Sequence, residues 1–138
     1  MPPVPTTLPI RTHLAVDERF SGRAVEVGDG RAVIELETTP EMAVNGAGLV
    51  HGGFLFSAAD YAAMLAVNEP TVVLAAAEVR FRAPVRVGRT VRFEAEREAG
   101  GPVERPPVRC TATCEGVEVF AGRFRCVVPP RHVLEEGS

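Results

Sequence analysis

Two hydrophobic periodicities share this chain, and the boundary between them organises it. Most of the sequence alternates apolar and polar residues with a period of two. Ala32-Val33-Ile34-Glu35-Leu36-Glu37 is one such stretch, and Thr90 to Arg97 sets Val91, Phe93 and Ala95 against Arg92, Glu94 and Glu96. That period predicts half-buried strands. Gly22 to Val27 and Arg31 to Thr38 read as a hairpin turned by Gly28-Asp29-Gly30. Val72 to Phe81, Thr90 to Arg97, Pro107 to Cys114 and Val117 to Val128 read as four more strands, the last two joined at Glu115-Gly116. The alternation breaks once, at Phe54 to about Asn68. This run is apolar nearly all round, rich in Ala, Leu and Met, and poor in β-branched residues. Length and composition predict a helix, and apolarity on every face predicts a buried one, ended by Asn68 and Pro70. Two strands, one enclosed helix and four strands give an α+β fold, a sheet wrapped around a single helix. Thr12 to Phe20 carries a weak signal for a short helix, and Pro40 to Gly48 reads as a loop containing Asn45-Gly46.

The 138 residues allow one domain, 1–138, with a Pro-rich arm over 1–10, ordered on contact or loose, and a tail over 129–138. Apolar residues make up 46% of the chain, enough for an ordinary core, and the net charge is −3 with no basic tract, so no nucleic-acid partner is expected. All fifteen basic residues are arginine. Without lysine, Schiff-base chemistry and a P-loop lysine are excluded. Met1-Pro2-Pro3-Val4-Pro5 has neither a charged start nor an apolar run, so no secretory leader is expected, and no apolar stretch is long enough to predict a membrane span. The three cysteines form no CxxC; free thiols in a reducing cytoplasm are the expectation. The three histidines form no ligand-spaced cluster, so no metal and no separate cofactor are expected.

Candidate chemistry concentrates in the predicted helix. Asp60 is the one charged residue between Phe54 and Val67, and His51-Gly52-Gly53 precedes it. A carboxylate among apolar neighbours loses hydration at a cost of several kcal/mol. It is therefore paired, protonated or employed.

The string Asn45-x-x-Gly48-x-x-His51-Gly52-Gly53, followed by Phe56-Ser57-Ala58-Ala59-Asp60, resembles the hot-dog-fold acyl-CoA thioesterases. The subgroup it is most similar to is the phenylacetyl-CoA type, PaaI-like and related to one class of 4-hydroxybenzoyl-CoA thioesterases. Phe81-Arg82-Ala83-Pro84-Val85-Arg86-Val87-Gly88 looks like the next signature, and the resemblance covers roughly residues 22–127. It implies a sheet curled around one long helix and homodimers, often dimers of dimers. It implies hydrolysis of an acyl-CoA to free acid and coenzyme A, with coenzyme A part of the substrate. By the same resemblance Gly52 supplies a backbone N–H to the thioester oxygen, and Asp60 acts as nucleophile or as base on water. Asn45 and His51 match positions that place substrate or water and shape the turn. The stretch Leu74-Ala75-Ala76-Ala77 departs from the pattern, lacking a hydroxyl that some relatives carry there.

The chemistry can be checked against helix geometry. Exposed N–H groups at a helix start, with the positive end of its dipole, suit a developing oxyanion. Gly52 and Asp60 are eight residues apart, about 12 Å of axial rise on one helix. One carbonyl carbon cannot be near both. Two antiparallel helices, one from each subunit, would bring Gly52 to the partner's carboxylate, so dimerisation becomes part of the mechanism.

Each candidate also has a plainer reading. Asp60 can serve a hydrogen bond across a helix interface, His51 can be an entry residue, Gly52 and Gly53 can form a sharp turn, and Asn45-Gly46 can be an ordinary turn. Phe54, Phe56, Tyr61 and Met64 either line an acyl site or pack the core. Arg80, Arg82, Arg86 and Arg89 either meet coenzyme A phosphates or form a solvated face. Ser57 can bond the Asp60 carboxylate or its own backbone. The alternative function is a non-catalytic acyl-CoA-binding module, as in hot-dog regulator domains. Residues 1–20 are too short and Pro-rich for a helix-turn-helix, which favours the enzyme. A hot-dog dehydratase is disfavoured because no His lies between Phe54 and Asn68.

Overall fold

A computed structural model describes residues 7–135. The elements are α1 (Glu18–Ser21), β1 (Arg23–Gly28), β2 (Arg31–Glu37), α2 (Gly52–Val67), β3 (Val73–Phe81), β4 (Thr90–Arg97), β5 (Pro107–Cys114) and β6 (Val117–Val127), with one 3-10 turn at Pro40–Met42. The six strands form one antiparallel sheet in the order β1-β2-β4-β5-β6-β3. This is the hot-dog architecture, a curled sheet holding one long helix.

Alternation sets the sheet's two faces. Val91, Phe93 and Ala95 of β4 are buried, as are Val108, Cys110 and Ala112 of β5. These inward residues pack on α2, whose Leu55, Ala58, Ala59 and the run Tyr61 to Val67 are all buried. Phe93, Phe120, Phe124, Ile34, Leu36, Met64 and Leu65 fill the space between, each contributing about 1.5–3 kcal/mol by leaving water. α2 ends where Asn68 turns left-handed at φ 53° and returns its N–H to the Met64 carbonyl.

Two expectations shift. The first helix is shorter and later than Thr12 to Phe20, because Asp17 caps it by accepting from the Arg19 N–H. α2 begins two residues earlier than Phe54, since the low helix propensity of Gly52 and Gly53 matters little in a first turn fixed by the loop before it. In residues 7–11, Leu8 N–H bonds the Val27 carbonyl, and Asn68 accepts from Arg11 N–H and donates to the Pro9 carbonyl. The rest of the arm lies outside the described residues. β1 is thus covered along part of its edge. β3, at the other end of the sheet, carries no strand on its outer side among the described residues. Among the described residues no helix is long and apolar enough to cross a membrane.

Candidate active site

The loop into α2 is stitched at several points. Asn45 Oδ1 accepts from the N–H groups of Ala47 and Leu49, at 3.0 and 3.3 Å. Val50 N–H bonds the Val85 carbonyl and His51 N–H the Met42 carbonyl. Asn45 therefore brackets the loop with its oxygen. These bonds deliver His51, with extended backbone (φ −64°, ψ 129°), to the N-cap.

No side chain caps the helix there. Phe54 N–H reaches the His51 carbonyl, but the amides of Gly52 and Gly53 have no protein acceptor among the described residues. They point outward at the positive end of a sixteen-residue helix. Both glycines leave room that neighbouring rings occupy closely. A Cβ at Gly52 would lie 3.0 Å from Phe81 Cε1, and one at Gly53 would lie 2.9 Å from His51 Nε2. Neither has a positive φ, so unusual backbone angles are not the reason. The His51 ring thus lies over Gly53, edge-on to the Phe54 ring with centroids 6.0 Å apart. A cavity of about 320 Å³ opens beside Gly52, bordered by Leu49, Leu55, Phe81 and Arg82 among others.

Two turns along, Asp60 is half-buried, with Oδ1 fully buried and lacking any hydrogen-bond partner among the described residues. Burial without a donor pushes its pKa up to about 6. Its surroundings come from β6. The Cys126 thiol is close enough that, after burial itself, the Asp60 charge helps push it up to about 12. Phe56, one turn before Asp60, stacks on Phe124 with centroids 5.8 Å apart. Gly52, Phe56 and Asp60 are spaced i, i+4, i+8 and share one stripe of α2. That stripe runs along β3 and β6, the free-edge end of the sheet.

Other candidates lie elsewhere. Ser57 Oγ bonds Ser21 Oγ of α1 at 2.9 Å, so it anchors the opposite flank and leaves Asp60 alone. Tyr61 is 5% exposed, its pKa raised by burial and then by Glu18. Met64 is wholly inside the core, while Phe54 packs on Phe20. Arg82 borders the Gly52 cavity and pairs with Glu118 at 2.9 Å. One chain therefore gathers His51, Gly52, Gly53 and Arg82 at one end of the stripe and leaves Asp60 at the other. Phe81, Phe124 and Cys126 complete the surroundings. Sequence reasoning missed their role because each reads as one more inward residue on an alternating strand. Among the described residues, no three His, Cys, Asp or Glu side chains are placed to hold a metal ion.

Comparison with known proteins adds independent information. Residues 47–99, spanning the end of the loop, α2, β3 and β4, match the family model described as the thioesterase superfamily. The chain is 47% identical over 116 residues to an Aquifex aeolicus protein named methylthioribose-1-phosphate isomerase, covering 83% of this chain and 25% of that one. It is 33% identical over 111 residues to the transcription factor FapR of Shouchella clausii, covering 80% of this chain and 58% of that one. The chain thus spans about a quarter and somewhat over half the length of these curated relatives. An uncharacterized protein from Pyrococcus horikoshii superposes with a TM-score of 0.90 at 45% identity, over 94% of this chain and 99% of that one. Two further structures share the fold. PaaI of E. coli, from the phenylacetic acid degradation operon, has a TM-score of 0.74 at 24% identity, over 82% and 83% of the two chains. A hypothetical thioesterase of Streptococcus pneumoniae, solved with coenzyme A, has 0.70 at 18%, over 80% and 87%.

Proposed function

From the match of residues 47–99 to the thioesterase superfamily, we propose that this chain hydrolyses an acyl-CoA thioester to a carboxylic acid and coenzyme A at a site shared by two subunits. One observation carries the proposal. The stripe of α2 facing the free β3 edge holds unpartnered amide donors at Gly52 and Gly53 and, two turns away, a carboxylate oxygen without a donor. Each is what the other needs, yet about 12 Å of helix separates them. Two-fold pairing along β3 would set two α2 helices antiparallel, so that each Gly52 meets the partner's carboxylate. A bare edge of nine residues rich in Ala and Val is suited to such pairing.

In that arrangement the thioester oxygen accepts from the Gly52 N–H, whose bond shortens as negative charge develops. An ionised Asp60 takes a proton from water attacking the carbonyl carbon, or attacks directly to give a mixed anhydride that water then opens. The thiolate of coenzyme A leaves in either case. Single turnover in oxygen-labelled water identifies direct attack where water opens the anhydride at the Asp60 carbonyl, because the label then enters Asp60 and the bridging protein oxygen leaves with the acid, whereas base catalysis puts the label straight into the acid. The coenzyme A bound to the pneumococcal protein of the same fold supports this choice of thiol carrier.

The test is thiol release from a panel of aryl, phenylacetyl and medium-chain acyl-CoAs, by wild type and by Asp60→Asn. Turnover is expected to fall about 100-fold or more in the variant. Equal hydrolysis by both proteins would remove Asp60 from the mechanism. A second reading, a non-catalytic acyl-CoA-binding module, draws on the identity to FapR, named a transcription factor. It requires acyl-CoA binding with no thiol release from any member of the panel.

A further inference from the structure

The side chain set over Asp60 comes from β6, and matching strides along α2 and β6 place it. Phe56 stacks on Phe124, with ring centroids 5.8 Å apart. From that contact, one turn of α2 to Asp60 advances about 6 Å. Two residues of β6, from Phe124 to Cys126, advance about 6.7 Å and return to the same inward face. Phe124 is wholly buried and Cys126 is 1% exposed, as that alternation requires. β3 adds nothing polar on this face. Leu74 lies opposite Cys126 and Ala77 opposite Phe124, and both pack on the core. On α2 itself, Ser57 is committed to Ser21, and Met64, one turn beyond Asp60, is apolar and buried. Charged groups of the flanking strands look the other way. Glu78 and Arg80 of β3, Arg109 of β5 and Arg123 of β6 are exposed and border a hollow outside the sheet, and Arg125 alternates with Cys126 to join them. Arg97, at the end of β4, acts on Cys126 less than Asp60 does, Cys110 of β5 feels Glu94, and Tyr61 feels Glu18 of α1.

A thiol is a weak donor and otherwise behaves as a small hydrophobe. Burial, and then the Asp60 charge, push the Cys126 thiol up to about 12, so it stays protonated and is no nucleophile. A hydroxyl in its place would donate to the carboxylate, favour its charged form and weaken it as a base. Asp60 Oδ1 has no such donor among the described residues. We infer that Cys126 is a positioning residue for the hydrolysis: as a weak donor packed over Asp60, it leaves Oδ1 open to the attacking water or to the thioester carbon. The reaction in this inference rests on the proposed function, while the contact rests on packing alone.

The experiment follows the Asp60 carboxyl carbon by NMR against pH, with Asp60→Asn to assign the signal. Wild type is expected to titrate at about 6. Cys126→Ser is expected to titrate lower, by about 1 in pH. Cys126→Ala removes a weak donor and adds none, so it is expected to keep the wild-type midpoint. Cys110→Ser puts a hydroxyl at a buried cysteine beside Glu94 rather than Asp60, and is expected to keep it too. In thiol release, the acid limb of kcat/KM is expected to move down with the serine variant's midpoint, and the plateau to fall about threefold or more. A role in packing alone would leave that limb in place. Where the serine variant does not fold, the infrared S–H band of Cys126, identified by its loss in Cys126→Ala, is read in wild type. It is expected to shift with a midpoint at about 6 and to stay fixed with pH in Asp60→Asn. An unmoved serine midpoint, an alanine midpoint moved as far as the serine one, or an S–H band blind to pH would each overturn the inference. The carboxyl titration needs no substrate, so the two failures are distinguishable. A protein that hydrolyses no thioester yet shows the serine shift loses the proposed function and keeps the contact; one that hydrolyses thioesters with every midpoint equal does the reverse.

Discussion

The two ends of one helical stripe are incomplete in opposite ways. At Gly52 and Gly53, amide donors lack an acceptor among the described residues. At Asp60, an acceptor lacks a donor and its apolar surroundings disfavour the charge it carries. The glycine end is fixed by the backbone, through a loop tied at Asn45, Val50 and His51. The aspartate end is shaped by side chains, Phe56, Phe124 and Cys126. Natural folds rarely leave a buried polar atom unsatisfied, which singles out Asp60 Oδ1, whereas the Gly52 and Gly53 amides stand at a partly exposed helix start, open to an acceptor.

The comparison is broken most directly at the donor. Gly52→Pro deletes one N–H at the first position of a helix, where proline is tolerated. The preceding His51 already has the extended backbone that proline demands. Gly52→Ala keeps the N–H and presses a methyl towards Phe81. Loss of an oxyanion donor is expected to cost the proline variant about 100- to 1,000-fold in kcat. The alanine variant, which retains the donor, is expected to stay within about tenfold of wild type. Steady-state thiol release measures both. Equal losses in the two variants would mean that shape at residue 52 matters and its amide does not.

A somewhat smaller signal tests whether the two ends act across subunits. Gly52→Pro and Asp60→Asn are each expected to retain about 1% or less of wild-type turnover alone. Unfolded together and refolded, half the dimers should be hybrids, each with one doubly damaged site and one intact site. Activity is then expected to recover to about a quarter of wild type, the share fixed by two-fold symmetry. No recovery, with hybrid dimers demonstrated by mass spectrometry, would place both ends in the same chain's site.

Much of this was legible in the sequence. Thr90–Arg97 and Pro107–Cys114 appear as strands with the bounds that alternation predicts, and the helix announces itself by losing that alternation. Asp60 stands out as a lone charge in an apolar run. What stayed hidden depends on sheet order. Nothing local says that β3 crosses α2 to lie beyond β6, yet that crossing makes it the free edge and brings Phe81 to Gly52. The clustering of Arg80, Arg109 and Arg123 is hidden for the same reason, since they come from three strands. Of the four arginines considered for phosphates, Arg86 donates to the Ala47 carbonyl and Arg89 pairs with Glu115. Ser57 lies one turn before Asp60, within its reach by helix spacing alone. It bonds Ser21 instead because α1 packs there, a contact invisible in one dimension.

The smallest expected effect is on stability, and its sign runs opposite to that of a salt-bridged carboxylate. Burial lifts Asp60 from 3.8 to about 6. Between those values the native protein holds a proton that the unfolded chain has released. The native state binds more protons there, so stability falls as pH rises through the window and levels off above about 6. The difference corresponds to at most about 3 kcal/mol, reduced by the solvent that reaches a half-buried side chain. Hydrolysis runs the other way, because a base or nucleophile must be ionised, so turnover rises over the same window. Urea unfolding of wild type and Asp60→Asn at about pH 4.5 and about pH 7.5 measures the stability limb. The wild type is expected to lose about 1–2 kcal/mol relative to the variant between the two pH values. Parallel curves would mean that the carboxylate has a donor after all, and the contrast between the two ends of the stripe would be gone.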